Sequence, residues 1–103
     1  MPRPLGPTTL QILAAIRDGT AYGLDIVART GLPSGTVYPT LGRVAKAGLV
    51  RSRWEAAEEA EAEGRPRRRY YELTAEGEAK LAEGVDRVAS LAAGLQRGLE
   101  ASR

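Results

Sequence analysis

Four arginines just past the middle of the chain have side-chain chemistry that points to a binding function. They lie within residues 65–69, directly after a glycine, and are Arg65, Arg67, Arg68 and Arg69. A guanidinium is always charged and its planar donors match phosphate oxygens, so each is predicted to neutralise a phosphate of a nucleic acid. At the tip of a hairpin, such an arginine also suits a narrow minor groove. The alternative is that they are solvated or pair with the acidic residues just upstream, which are Glu55, Glu58, Glu59, Glu61 and Glu63.

A second candidate binding feature is the stretch LPSGTVYPTLGRVAKAGLV, residues 32–50. Its apolar residues recur at i, i+4 and i+7, the spacing of one helix face, and are Val37, Leu41 and Val44. The opposite face carries three poor helix formers, namely Gly35, Pro39 and Gly42. A face without large side chains lets a helix backbone come close to a partner, as in the DNA major groove, which is about 12 Å wide. The alternative is that an exposed face simply tolerates such residues.

The predicted DNA contacts on this helix lie on the bare face and beside it. The start of a helix, with its free N–H groups and positive dipole end, favours phosphate. The predicted contacts on the helix are Ser34, Gly35, Thr36, Tyr38, Pro39, Arg43 and Lys46. Together with the four arginines, these residues predict that the chain binds double-stranded DNA.

Three helices are predicted to precede the arginines, and the third of them carries the bare face. Apolar stripes predict helices over residues 8–19 and 21–31, with a threonine capping the first and Gly19 ending it. Only Leu32 and Pro33 separate the second helix from the next one. A short helix, a tight turn and a longer helix in succession are typical of a helix-turn-helix.

A β-hairpin is predicted to follow the third helix. Period-two alternation favours strands over residues 49–55 and 69–73, joined by a long, mobile tip. Trp54 and Tyr71 are predicted to lie in the core of this hairpin. The predicted fold is therefore a winged helix-turn-helix of the α+β class, mainly α with a small β-hairpin and a C-terminal dimerisation helix.

The last part of the chain is predicted to be one long helix that joins two subunits. Its apolar residues alternate steps of four and three, the spacing of a coiled-coil seam, and are Leu81, Val85, Val88, Ala92, Leu95 and Leu99. Such a helix is about 40 Å long, which exceeds what a small domain covers. We therefore expect a homodimer with a DNA-binding domain over residues 1–74 and a dimerisation helix over residues 75–103. The alternative is a helix that lies on its own domain.

The composition argues against catalysis. The 103 residues suffice for one domain and include neither cysteine nor histidine. The chain therefore has no thiol nucleophile, no thiolate metal site and no imidazole base. We expect no enzyme activity, no metal and no cofactor. No apolar run approaches the roughly 20 residues that cross a bilayer, and the first residues lack the apolar core of a signal peptide, so we expect a cytoplasmic protein without membrane contact.

Several separated motifs resemble the PadR family of bacterial transcriptional regulators. They are Tyr22 and Gly23, residues 34–39, residues 48–50, Trp54, residues 64–66, Tyr70 and Tyr71, and Leu73 and Thr74 with Gly77. The resemblance implies a dimeric DNA-binding regulator, usually a repressor, whose terminal helices pair the subunits. It also implies that Tyr22 braces the helices near the DNA backbone, the alternative being a partly buried ring that only packs and keeps its hydroxyl in water. The chain differs from many members in its shorter connection before the third helix and in its acidic tip.

The prediction that results is a homodimeric, sequence-specific repressor that reads an inverted-repeat operator with the helix from Ser34 and the arginine-bearing wing. The alternative is a winged-helix adaptor that binds proteins through its acidic tip and has little affinity for any duplex. An apolar dimer interface would also leave room for a small-molecule effector, whose identity the sequence does not specify.

Overall fold

A computed structural model describes residues 3–19 and 21–102 of the chain. In this described part the helices and strands follow one another as α1 (Pro7–Arg17), β1 (Ala21–Tyr22), α2 (Gly23–Thr30), α3 (Ser34–Lys46), β2 (Val50–Trp54), α4 (Ala57–Ala62), β3 (Arg69–Leu73) and α5 (Ala75–Ala101). None of the described helices is both long and apolar enough to cross a membrane.

The first three helices form the predicted helix-turn-helix. Helix α2 ends at Gly31, whose left-handed φ of 72° suits a residue without a Cβ, and the backbone N–H of Gly31 donates to the Val27 carbonyl. Helix α3 begins three residues later, so the predicted tight turn is confirmed. The predicted threonine cap of α1 is wrong, because the helix begins at Pro7 after Gly6 and has no side-chain cap. Proline at a first helical position lacks an N–H that would have had no helical partner there.

The sheet has one strand more than predicted. Strands β2 and β3 form the expected antiparallel hairpin, with Val50 opposite Leu73 and Trp54 opposite Arg69. The additional strand β1 pairs with the other edge of β3, and it consists of two residues that were predicted to belong to the second helix. Two residues are too few to show a sequence period, so only their pairing with β3 makes them a strand.

The core lies between α1, α2, α3, the sheet and the start of α5. Its largest fully buried apolar side chains are Ile12, Leu13, Ile16, Ile26, Val37, Leu41 and Leu81. The buried hydroxyl of Thr40 donates to the Thr36 carbonyl at 2.8 Å, so this polar group in α3 is satisfied. The interior face of α3 is thus the apolar face that the sequence predicted.

The two aromatic residues predicted in the hairpin core differ in their burial. Tyr71 is buried, which confirms the prediction, but Trp54 is 56% exposed, which contradicts it. Val50, Ser52 and Trp54 alternate along β2 and therefore lie on one face, and their burial decreases in that order. Trp54 lies outside the hydrophobic core, and its ring has the guanidiniums of Arg67 and Arg69 beside it.

The connection between β2 and β3 was predicted to be a mobile tip and instead contains helix α4. Ala60 of this helix is only 2% exposed, and its carbonyl accepts from the backbone N–H of Arg65 at 3.1 Å. Glu55, just before the helix, is buried as well. The tip is therefore folded back on the hairpin.

Helix α5 starts on the domain and then leaves it. Thr74 caps it as predicted, because its hydroxyl oxygen accepts from the Gly77 N–H at 3.0 Å. Leu81 was predicted at the subunit interface, but it is 2% exposed and belongs to the core of its own chain. All described side chains from Val85 onward are exposed, and the molecule measures 61 × 29 × 22 Å.

Candidate DNA interface

A strip on the outer face of α3 is bare from Gly35 to Gly42. Gly35, Pro39 and Gly42 are all exposed, and a Cβ added at either glycine would meet no atom within 4 Å. Pro39 has no N–H, so the Gly35 carbonyl receives no helical hydrogen bond from it, yet the helix continues to Lys46. This strip offers backbone rather than side chains to a partner.

Larger side chains stand on both sides of the strip. Tyr38 is 46% exposed, and its ring lies so close to Gly23 of α2 that a methyl group there would overlap it. Arg43 is exposed and its guanidinium donates to the Thr40 hydroxyl at 2.9 Å. Lys46 and Ser34 are exposed at the two ends of the helix. The predicted contacts on α3 therefore lie on one accessible surface, except that Thr36 is half-buried.

A cleft of about 310 Å³ joins α3 to the wing. Tyr38 lines it from α3, Tyr22 lines it from β1, and Leu24 lines it from the start of α2. The wing contributes the segment from Arg65 to Arg68. The Arg68 guanidinium lies over the Tyr22 ring, 4.0 Å from its centroid. The fold thus brings the two stretches that the sequence singled out into one surface, with Tyr22 between them.

Glu55 holds the base of the wing together, so the alternative that the arginines pair with upstream acids applies to this one glutamate. Its carboxylate accepts from the Arg65 guanidinium at 2.8 Å and from the Arg68 backbone N–H at 3.3 Å. Its carbonyl accepts from the Arg67 Nε at 2.7 Å. The hydrogen bond from Arg65 lowers the pKa of Glu55 to about 2, and the same bond raises the pKa of Arg65. Glu55 looked like one member of an acidic run, and only its burial separates it from the others.

The four arginines of the wing therefore differ in the exposure of their side chains and in the groups that they contact. Arg65 is committed to Glu55 and its side chain is only 23% exposed. Arg68 is half-buried on Tyr22, whereas Arg67 and Arg69 are exposed. The Arg67 and Arg69 guanidiniums lie 5.9 and 5.5 Å from the centroid of the Trp54 ring.

The remaining glutamates of the tip do not engage these arginines. Glu58, Glu59, Glu61 and Glu63 are exposed on or next to α4. In the described part of the chain none of the four forms an ion pair with a wing arginine. Pairing between acidic tip and basic wing is thus limited to Glu55.

The far half of α5 carries an apolar stripe with no partner in its own chain. Val85, Val88, Leu95 and Leu99 are each 47% to 71% exposed. Leu91 is 62% exposed beside them and was missed, since it lies next to Ala92 rather than on the heptad positions. The stripe begins at an apolar groove between α1 and α5 of about 490 Å³.

Three helices in this order, followed by a hairpin that sets arginines beside the third helix, define a winged helix-turn-helix protein. Residues 12–83 match the model of the Transcriptional regulator PadR-like family, and the chain belongs to that family. A comparison with curated proteins found no match.

Solved structures share the fold of this chain. The PadR family transcription regulator of hypervirulent Clostridium difficile R20291 has a TM-score of 0.81 and 23% identity, over 91% of this chain and 99% of its own. A PadR family transcriptional regulator of Eggerthella lenta DSM 2243 has a TM-score of 0.73 and 29% identity, over 89% and 80% of the two chains. Bacillus subtilis PadR, solved in complex with operator DNA, has a TM-score of 0.68 and 20% identity, over 80% of this chain and 48% of its own.

Proposed function

We propose that this regulator is a sequence-specific repressor that binds duplex DNA as a homodimer at an inverted-repeat operator. The observation that carries the proposal is the single surface formed by the bare face of α3, the cleft at Tyr22 and the wing arginines. The complex of Bacillus subtilis PadR with operator DNA supports the same use of the fold.

In this proposal α3 enters the major groove with its bare face inward. The exposed strip at Gly35, Pro39 and Gly42 lets the helix backbone approach the base edges. Arg43 and Lys46 lie beside the strip, where they reach bases or phosphates at the groove edges. The free N–H groups at the start of the helix bind a phosphate.

The wing contributes affinity through phosphate contacts. Arg67, Arg68 and Arg69 are the cations that a duplex would meet, whereas Arg65 stabilises the wing through Glu55. Phosphate contacts of this kind strengthen binding to all sequences alike, so recognition of an operator rests on α3. The division expected from the sequence, residues 1–74 for DNA binding and residues 75–103 for dimerisation, then moves towards Val85, because the first turns of α5 pack on the DNA-binding domain.

The dimer is proposed to form through the apolar stripe of α5. Its exposed valines and leucines would stay in water in a single chain, and pairing two copies removes them from it. Two subunits related by a twofold axis present two α3 helices in opposite senses, which accounts for an inverted repeat. Leu81 lies in the core, so the stripe starts at Val85.

The test of DNA binding is selection of duplexes from a random pool, followed by fluorescence anisotropy with the selected and a scrambled duplex. We expect enrichment of an inverted repeat, tighter binding to the selected duplex and steep weakening as salt rises. No measurable affinity for any duplex at low salt would refute the proposal and favour the adaptor alternative.

The test of the dimer is Val88→Asp, with Ser90→Asp as a matched control on the opposite side of α5. An aspartate at position 88 would place an unpaired charge in the interface, so we expect the sedimentation mass to halve. The control carries the same charge on an exposed position outside the stripe and should remain dimeric. A wild-type monomer, or equal masses for both variants, would contradict the interface.

A further inference from the structure

Trp54 is a large apolar side chain left exposed at the outer end of the hairpin. It is 56% exposed, although it lies on the same sheet face as Val50, which is buried. No described residue covers the rest of the indole. An exposed indole offers a partner a large apolar area with a polar N–H, which is why tryptophan is enriched at interfaces.

Two cations are held against this indole. The Arg67 and Arg69 guanidiniums lie 5.9 and 5.5 Å from the ring centroid. Arg67 is fixed by its hydrogen bond to the Glu55 carbonyl at 2.7 Å. Arg69 is fixed by two hydrogen bonds to the Ser52 hydroxyl at 2.9 and 3.1 Å. The patch therefore presents an exposed indole beside two positioned positive charges.

The charge of the patch indicates an anionic partner. The carboxylate nearest along the chain, on Glu55, is buried and already paired with Arg65, so it does not offset Arg67 or Arg69. A nucleic-acid backbone alternates phosphates with apolar sugar faces, which matches an indole flanked by guanidiniums.

The patch is also continuous with the proposed DNA surface. Arg67 lines the cleft that Tyr38 of α3 lines from the other side, and the same arginine contacts Trp54. A duplex seated on α3 would thus extend along the wing towards the indole.

We propose that Trp54 packs on the sugar–phosphate backbone of duplex DNA while Arg67 and Arg69 neutralise the phosphates on either side. This inference rests on the proposed DNA-binding function and adds a contact of a different kind. The indole contribution comes from burial of apolar surface, so it is independent of base sequence and insensitive to salt.

The test uses the fluorescence of Trp54, the single tryptophan in the chain. A labelled duplex is titrated onto wild-type protein, with anisotropy reporting binding and acrylamide quenching reporting access to the indole. We expect quenching to fall several-fold when anisotropy reaches saturation. Unchanged quenching at saturation would overturn the inference and leave DNA binding intact. Absence of any anisotropy change would instead refute the proposed function. An indole already shielded from acrylamide in the free dimer would show that a second copy covers it, and would overturn the inference.

Variants separate the indole from its arginines. Covering about 60 Å² of the exposed indole corresponds to about a tenfold change in affinity, so Trp54→Ala is expected to weaken binding to every duplex by about that factor. Its salt dependence should match the wild type, because no charge is removed. The double variant Arg67→Ala/Arg69→Ala should flatten the log–log salt slope by about two units. Trp54→Phe should regain part of the loss. If Trp54→Ala reduced the salt slope as much as Arg67→Ala/Arg69→Ala does, the ring would only position the arginines. That result would refute the backbone contact.

Discussion

The four wing arginines should contribute unequally to DNA binding, although the sequence presents them as one run. Arg65 donates to the buried carboxylate of Glu55, whereas Arg68 lies over Tyr22 at the cleft beside α3. We therefore compare Arg68→Ala with the double variant Glu55→Gln/Arg65→Gln. The double variant replaces an ion pair by two neutral amides of similar size, so it leaves no unpaired buried charge.

The expected magnitude follows from counting phosphate contacts. One lost contact flattens the slope of log affinity against log salt by about 0.9, which corresponds to a difference of about 3.5-fold between 50 and 200 mM salt. Arg68→Ala should show this change, and Arg67→Ala/Arg68→Ala should show about twice the slope change, or about 12-fold over the same range. Glu55→Gln/Arg65→Gln should keep the wild-type slope, since Arg65 makes no phosphate contact in this proposal.

The assay is fluorescence anisotropy with a selected and a scrambled duplex at several salt concentrations. Arg67→Ala/Arg68→Ala should weaken binding to both duplexes by the same factor, because phosphate contacts carry no base information. A slope flattened by Glu55→Gln/Arg65→Gln as much as by Arg68→Ala would show that Arg65 contacts DNA and refute the assignment. A loss confined to the selected duplex, with the slope intact, would place the wing arginines on base edges instead.

Three further predictions concern the scaffold. The pKa of Glu55 is about 2 in the folded chain against an ordinary 4.5, so its stabilising effect is present above about pH 4.5 and is lost as pH falls towards 2. The difference in free energy of unfolding between wild type and Glu55→Gln, measured in urea, should shrink as pH falls through that window. A difference that stays constant would contradict the ion pair. Leu81→Ala should lower the free energy of unfolding by about 2–5 kcal/mol, because Leu81 lies in the core. Leu95→Ala, on the exposed stripe, should chiefly raise the dimer dissociation constant measured by sedimentation. The reverse pattern would place Leu81 at the interface. Gly23→Ala should displace the Tyr38 ring and lower DNA affinity. The double variant Gly23→Ala/Tyr38→Ala should bind DNA as well as Tyr38→Ala alone, because the displaced ring is then absent. Additive losses of affinity, measured by anisotropy, would argue against this contact.

The sequence by itself determined the first three helices, the long last helix, the hairpin and the bare face of α3, but neither α4 nor β1. Val37, Leu41 and Val44 mark the buried side of that helix because residues three or four apart share a helix face whatever surrounds them. The alternation along β2 and β3 marked the hairpin for the same local reason. Motifs at separated positions then indicated the PadR family, which the match over residues 12–83 confirmed.

Only the tertiary structure decided which of these side chains are free to bind. Alternation assigned Trp54 to the inner face of the hairpin, but it could not show that the core does not cover that face at Trp54. Heptad spacing assigned Leu81 to the seam, yet the first turns of α5 lie on the domain and bury it. Glu55 and Arg65 meet across ten residues, so no local period could pair them. Sequence periodicity reports which face of an element a residue occupies, whereas burial and pairing depend on what other elements place against that face.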